Sequence, residues 1–150
     1  MKAVVRRNDI ARDRYILWNE FVRFLATTPS DQLDADQRPA HLAFSYDAEV
    51  QNGGHLQYFE NQDRSLTDET LLALHAIGAS EQASIFRRAA DRWSARERHH
   101  CENAGEYVAR SMEMEFRDLD EAYYSATPTI IEILERLLES QTDTFVQIKG

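Results

Sequence analysis

Two adjacent glycines constrain this chain more than any other feature. In Glu49-Val50-Gln51-Asn52-Gly53-Gly54-His55-Leu56-Gln57-Tyr58-Phe59 they follow an asparagine and separate two stretches that both carry helical patterning. Upstream, Leu42, Ala43, Tyr46 and Val50 recur at helical intervals; downstream, Leu56, Tyr58 and Phe59 restore an apolar face. Asn and Gly accept the left-handed backbone that ends a helix. Between alternating strands an Asn-Gly pair would signal a hairpin, but these flanks do not alternate. The sequence therefore predicts a helix that stops, turns sharply through the glycines and restarts at once.

Such a restart leaves amides near Gly54 and His55 without carbonyl partners. Glu49, Asn52, Gln57 and Asn61 are suited to satisfying them, and Gln57 and Asn61, four apart, share a helix face. Two readings stay open. The polar residues are mortar around a kink, since backbone satisfaction is obligatory. Alternatively they form a small pocket at a helix N-terminus, able to hold an anion or a ligand's polar end.

The pattern Glu-Val-x-Asn-Gly-Gly-x-x-Gln-Tyr-Phe-x-Asn is followed by Leu71-Leu72-Ala73-Leu74-His75-Ala76-Ile77-Gly78-Ala79. Together they resemble a bacterial family of helical proteins named after a DNA mimic, an acidic dimer that occupies the DNA-binding face of a transcription factor. Phe116-x-x-Leu119-Asp120-x-x-Tyr123-Tyr124 and Phe145 fit the same pattern, so the resemblance spans about residues 40–148. His55 stands where that family more often has an aromatic residue. The resemblance implies a helical fold, a basic DNA-binding protein as partner and a homodimer.

At 150 residues the chain suits one domain with a single core. No apolar run approaches the roughly 18 residues that span a bilayer. Lys2, Arg6 and Arg7 precede no apolar stretch, so the N-terminus does not read as a secretory signal. The single Cys101 cannot form an internal disulfide, which suits a cytoplasmic location. The formal charge of −9 is segregated: residues 1–25 carry +3, 26–69 carry −7, 70–100 carry +2 and 101–150 carry −7. Acidic regions of this kind repel nucleic acid and attract basic protein surfaces.

The first helix is expected from about Asn8 or Asp9 to Ala26, with Ile10, Leu17, Phe21 and Phe24 inward. Asp36 is placed to cap the helix that enters the glycine break. Thr67 reads as the N-cap of a helix that Gly78 stops. Ser80 restarts a helix that either ends near Trp93, before a capping box at Ser94–Glu97, or runs on to Met114. Asp118–Glu121 has the form of a second capping box, and Thr127-Pro128 opens an amphipathic last helix. The tail after Asp143 extends that helix or forms a brief extended segment. The fold class is all-α, a bundle of six to eight helices with a glycine-broken central helix.

Chemistry is sparse. Histidines at 41, 55, 75, 99 and 100 make no HExxH pattern, and no P-loop, GxSxG or Rossmann glycine pattern occurs. We expect no metal, no cofactor and no catalytic residue. The functional candidate is the acidic segment Glu102, Glu106, Glu113, Glu115, Asp118, Asp120 and Glu121. Carboxylates four apart on a helix lie about 6 Å apart along its axis, close to two steps of a DNA strand at about 3.4 Å each. That spacing permits phosphate mimicry if the rows share an exposed face. Arg87, Arg88, Arg92, Arg96 and Arg98 form a basic stripe, expected to pair with acids nearby or across a subunit interface.

Overall fold

The computed structural model describes residues 1–150 and follows the apolar periodicity into nine α-helices. They are α1 (Arg7–Arg12), α2 (Ile16–Thr27), α3 (Arg38–Asn61), α4 (Thr67–Ala76), α5 (Ser80–Ser94), α6 (Ala104–Ser111), α7 (Arg117–Ser125), α8 (Ile130–Ser140) and α9 (Thr142–Phe145). Single 3-10 turns lie at Ser30–Gln32 and Arg64–Leu66. The class is helical as expected, with one helix more than the range. The chain ends add strands β1 (Ala3–Arg6) and β2 (Val146–Lys149), paired in parallel with Ala3 opposite Val146.

The long α3 runs through the middle and packs against α2, α4, α7 and α8. Its inward face carries Ala40, Ala43, Tyr46 and Val50, then Leu56, Tyr58 and Phe59 beyond the break, all buried. Tyr46 is the hub: its ring meets Tyr58, Phe86 and Tyr123 edge-on, with centroids 5.3, 4.9 and 5.3 Å away. Such perpendicular pairs place a ring's positive edge on its neighbour's negative face, and each adds about 0.5–1.5 kcal/mol beyond area burial. At the other end Phe21 of α2 meets Phe145 edge-on at 4.9 Å. Gln37, fully buried, donates to the carbonyls of Met1 and Thr144 at 2.8 Å each and ties both chain ends to the start of α3.

Several boundaries differ from expectation, each for a local reason. The N-terminal helix is two helices, because Asp13 is extended (φ −135°) and its carboxylate takes the amide of Tyr15 at 2.9 Å. Gln37, not Asp36, precedes α3, and neither caps it with a side chain. The stop at Gly78 is as expected: its φ is +80° and the Ala79 amide bonds back to the Leu74 carbonyl at 2.9 Å. The helix of Ser80 ends at Ser94, and the capping box at Ser94–Glu97 starts nothing. Arg98 instead folds back and donates to the terminal carbonyls of Arg92 and Trp93 at 3.0 and 2.8 Å, stacking on the Trp93 ring. Helix α6 is capped by Asn103, whose side chain accepts from the Glu106 amide. Helix α8 is capped by Thr129 rather than Thr127.

Candidate functional site at the glycine break

The kink falls at Gly53 (φ −153°, ψ 20°) and Gly54 (φ 72°, ψ −173°), as the sequence predicts. Gly54 is buried and occupies a left-handed φ that L side chains rarely adopt. A methyl group there would also run into the carboxylate of Asp120, in the first turn of α7. That close approach serves the backbone. Oδ1 of Asp120 accepts from the His55 amide at 2.9 Å and from the His55 ring, whose Nδ1 lies 2.6 Å away. On the other side of the ring, Nε2 is hydrogen-bonded to the Tyr46 hydroxyl at 2.7 Å. His55 is fully buried, so the result is an internal chain Tyr46–His55–Asp120 linking the two halves of α3 to α7. Burial, before the nearby carboxylates, pushes the Tyr46 phenol well above its ordinary range.

The amide orphaned by the restart is thus met by a carboxylate from another helix. Glu49, Asn52, Gln57 and Asn61 are spent on one another. Glu49 accepts from Gln57 at 2.8 Å and Asn61 at 2.9 Å, and Asn52 donates to Gln57 at 3.0 Å. The carbonyl of Val50, near the end of the first half, accepts from the Tyr124 hydroxyl at 2.9 Å. The buried Asp47 accepts from Tyr123 at 2.5 Å, and burial followed by that carboxylate's charge raises the Tyr123 phenol strongly. Outside the kink lies a cleft of about 310 Å³, floored by Gly53, Leu56 and Phe116 and rimmed by Arg110, Arg117 and Asp120.

The seven acidic candidates do not share one environment. Asp120 is turned inward on His55. Glu115 lies 2.9 Å from Arg98 and 3.1 Å from Arg96, and the Arg98 hydrogen bond first, against burial, holds its carboxyl below the usual range. Asp118 takes both terminal nitrogens of Arg92, at 2.6 and 3.0 Å, which holds its carboxyl at about 2. Glu113 pairs with Arg96 at 3.2 Å and Glu121 with Arg117 at 3.1 Å, and both remain mostly exposed. Glu106 accepts from the Glu102 amide at 2.9 Å, and Glu102 is exposed. Arginines of α5 and the following loop therefore interleave with these acids, whereas Arg87 and Arg88 have no ion-pair partner.

Sequence reasoning placed Asp120 among docking residues and missed its bond to His55. The available signal was His55 itself, a polar ring where the resemblance has an aromatic one. Glu60 was also missed. Burial acts to raise its carboxyl, but the Cys101 amide and Arg110 more than offset this and lower it. The Cys101 thiol is pushed up, by burial first and by Glu60 second. No three His, Cys, Asp or Glu side chains converge where a metal ion would sit.

A compact helical domain with a glycine kink sealed by a distant carboxylate, and with net charge −9, defines the class. The chain belongs to the DMP19-like protein family, whose model matches residues 31–141, and that family is of the DNA-mimic type. The match begins and ends earlier than the 40–148 span drawn from the motifs, and covers α3 to α8 without the terminal sheet. No curated protein and no solved structure matches the chain. No helix is long and apolar enough to cross a membrane.

Proposed function

We propose that the protein is a non-catalytic acidic binding protein of the DNA-mimic type, which docks carboxylates on the basic surface of a DNA-binding protein. The observation that carries this reading is membership of the DMP19-like family together with the charge of −9. Geometry divides the labour within the acidic segment. Glu115 and Asp120 hold the fold. Glu102, Glu113, Asp118 and Glu121 face solvent, and the last three sit in exposed ion pairs. Exposed pairs are worth about 0–1 kcal/mol, so an incoming basic surface can exchange partners with the arginines at small cost. Glu132, Glu135 and Glu139 add a second exposed row on α8, spaced to share one helix face.

Competition tests the reading directly. Basic proteins captured by the purified protein from extract are expected to be released by duplex DNA and by raising salt from about 50 to 300 mM, because screening shortens the reach of exposed charges. Partners that stay bound in excess duplex, or whose affinity ignores salt, would overturn it.

A further inference from the structure

The two strands at the chain ends form a sheet that is incomplete on one side. Strand β1 lies against α1 and α2, and no third strand pairs with the far side of β2. In the parallel register Ala3, Val5, Val146 and Ile148 share the core-facing side, and Val4, Arg6, Gln147 and Lys149 share the outer one. Cover on the core side runs out at β2: Val5 is 3 % exposed, whereas Ile148, opposite it, is 40 % exposed. An open strand edge presents a row of amides and carbonyls ready to pair with another extended chain. An uncovered isoleucine on the core-facing side of that edge is what a further strand would cover.

Charge determines what kind of strand fits. Arg6 and Lys149 stand abreast in the register, about one strand spacing of 4.8 Å apart, and like charges so placed repel. Neither side chain makes a salt bridge or a hydrogen bond, and neighbouring Arg7 makes none either, while the Lys2 amine is spent on the Asp143 carbonyl. Carboxylates on the outer side of an added strand would lie beside Lys149 and within reach of Arg6, two spacings away. A neutral or basic strand would leave the repulsion in place. Nucleic acid or anionic lipid would meet the cations but offer the edge no backbone to pair with, and the net charge of −9 repels both. We propose that β2 takes up an extended acidic segment of a partner protein as a third strand. Its residues alternate between carboxylate, beside Lys149 and Arg6, and apolar, against Ile148. The sheet lies outside residues 31–141 of the family match, and docking there is independent of the role of the acidic segment.

The test is a titration of isotope-labelled protein with an end-capped Glu-Val-Glu-Val-Glu peptide. Saturable amide shifts are expected at Gln147, Ile148 and Lys149, with slowed hydrogen exchange there and no change at Gly53 or Asp120. A Lys-Val-Lys-Val-Lys peptide should bind about tenfold more weakly, and so should the acidic peptide with its backbone amides methylated. Lys149→Glu, which removes a side chain without internal partners, should weaken the acidic peptide about tenfold without lowering Tm, and strengthen the lysine peptide. Failure of the acidic peptide to bind would leave Lys149 as a guard against strand pairing and overturn the proposal. Equal binding of the lysine or methylated peptide, or a Lys149→Glu variant that binds like wild type, would overturn it too. So would duplex DNA or phosphatidylserine vesicles that shift the same amides and exclude the peptide.

Discussion

Gly54 is the residue on which the kink depends, and two separate costs meet there. A non-glycine residue in the left-handed region costs roughly 1–2 kcal/mol. The added methyl also displaces Asp120, which strands the His55 amide and ring in the core at about 1–3 kcal/mol. Gly54→Ala is therefore expected to lose about 2–5 kcal/mol in urea unfolding. Gly53→Ala should lose clearly less, since its φ of −153° suits any residue and its methyl meets only the side chain of Gln57. Equal losses would mean that contact with Asp120 is not what fixes the turn. On the other side of the His55 ring from Asp120, Tyr46→Phe leaves His55 Nε2 unmet and should lose about 1–3 kcal/mol, with the ring packing unchanged. The break itself was legible, because Asn-Gly-Gly between two helical stripes has few solutions. Asp120 was not: nothing local distinguishes a carboxylate that reaches a buried amide 65 residues away from one that faces water.

At the scale of elements, what the sequence conceals is competition between side chains for helix ends. Gly78 is readable because a positive φ is a property of one residue. The split at Asp13 and the end of α5 are not, because they rest on a side chain returning to the backbone. Arg98 shows the consequence. It is 4 % exposed, caps two carbonyls of α5, stacks on Trp93 and holds Glu115 of the segment before α7. Replacement by Met keeps some apolar contact but leaves two carbonyls unmet and the half-buried Glu115 carboxylate with Arg96 as its one remaining partner. Arg98→Met is expected to lose about 3–5 kcal/mol, as when one member of a buried pair is removed. The same ion pairs set the acid limit. Asp118, Glu115 and Glu60 all have carboxyls lowered in the fold. Groups lowered in this way contribute stability above their unfolded values near 4, and that contribution disappears as pH falls towards 2. Stability should hold from neutral pH to about 5 and decline between about 4 and 2. Arg92→Gln should shallow the decline only slightly, since Asp118 is 58 % exposed and solvent screens the pair. A decline centred above pH 5 would point to histidine instead.

Over the whole molecule the charge is organised by position, with a basic N-terminal stretch and two acidic stretches. The fold then neutralises part of the second acidic stretch with arginines from α5 and its following loop, so sequence charge overstates the field near α7. Two exposed rows remain as alternatives for docking: Glu102, Glu113, Asp118 and Glu121, or Glu132, Glu135 and Glu139. They can be separated by rate. Carboxylates at the rim of a docking surface mainly steer approach, so neutralising them lowers the association rate and flattens its dependence on salt. Converting the first four to their amides is expected to slow association with a captured basic partner about tenfold, with little change in dissociation. The same treatment of the three on α8 should slow it less, because it removes three negative charges rather than four. If the α8 set has the larger effect, the docking face belongs to the last helix. If neither set alters the rate, long-range attraction is not what brings the partner in, and the interface must lie on apolar surface such as the exposed Met112 and Met114 between α6 and α7.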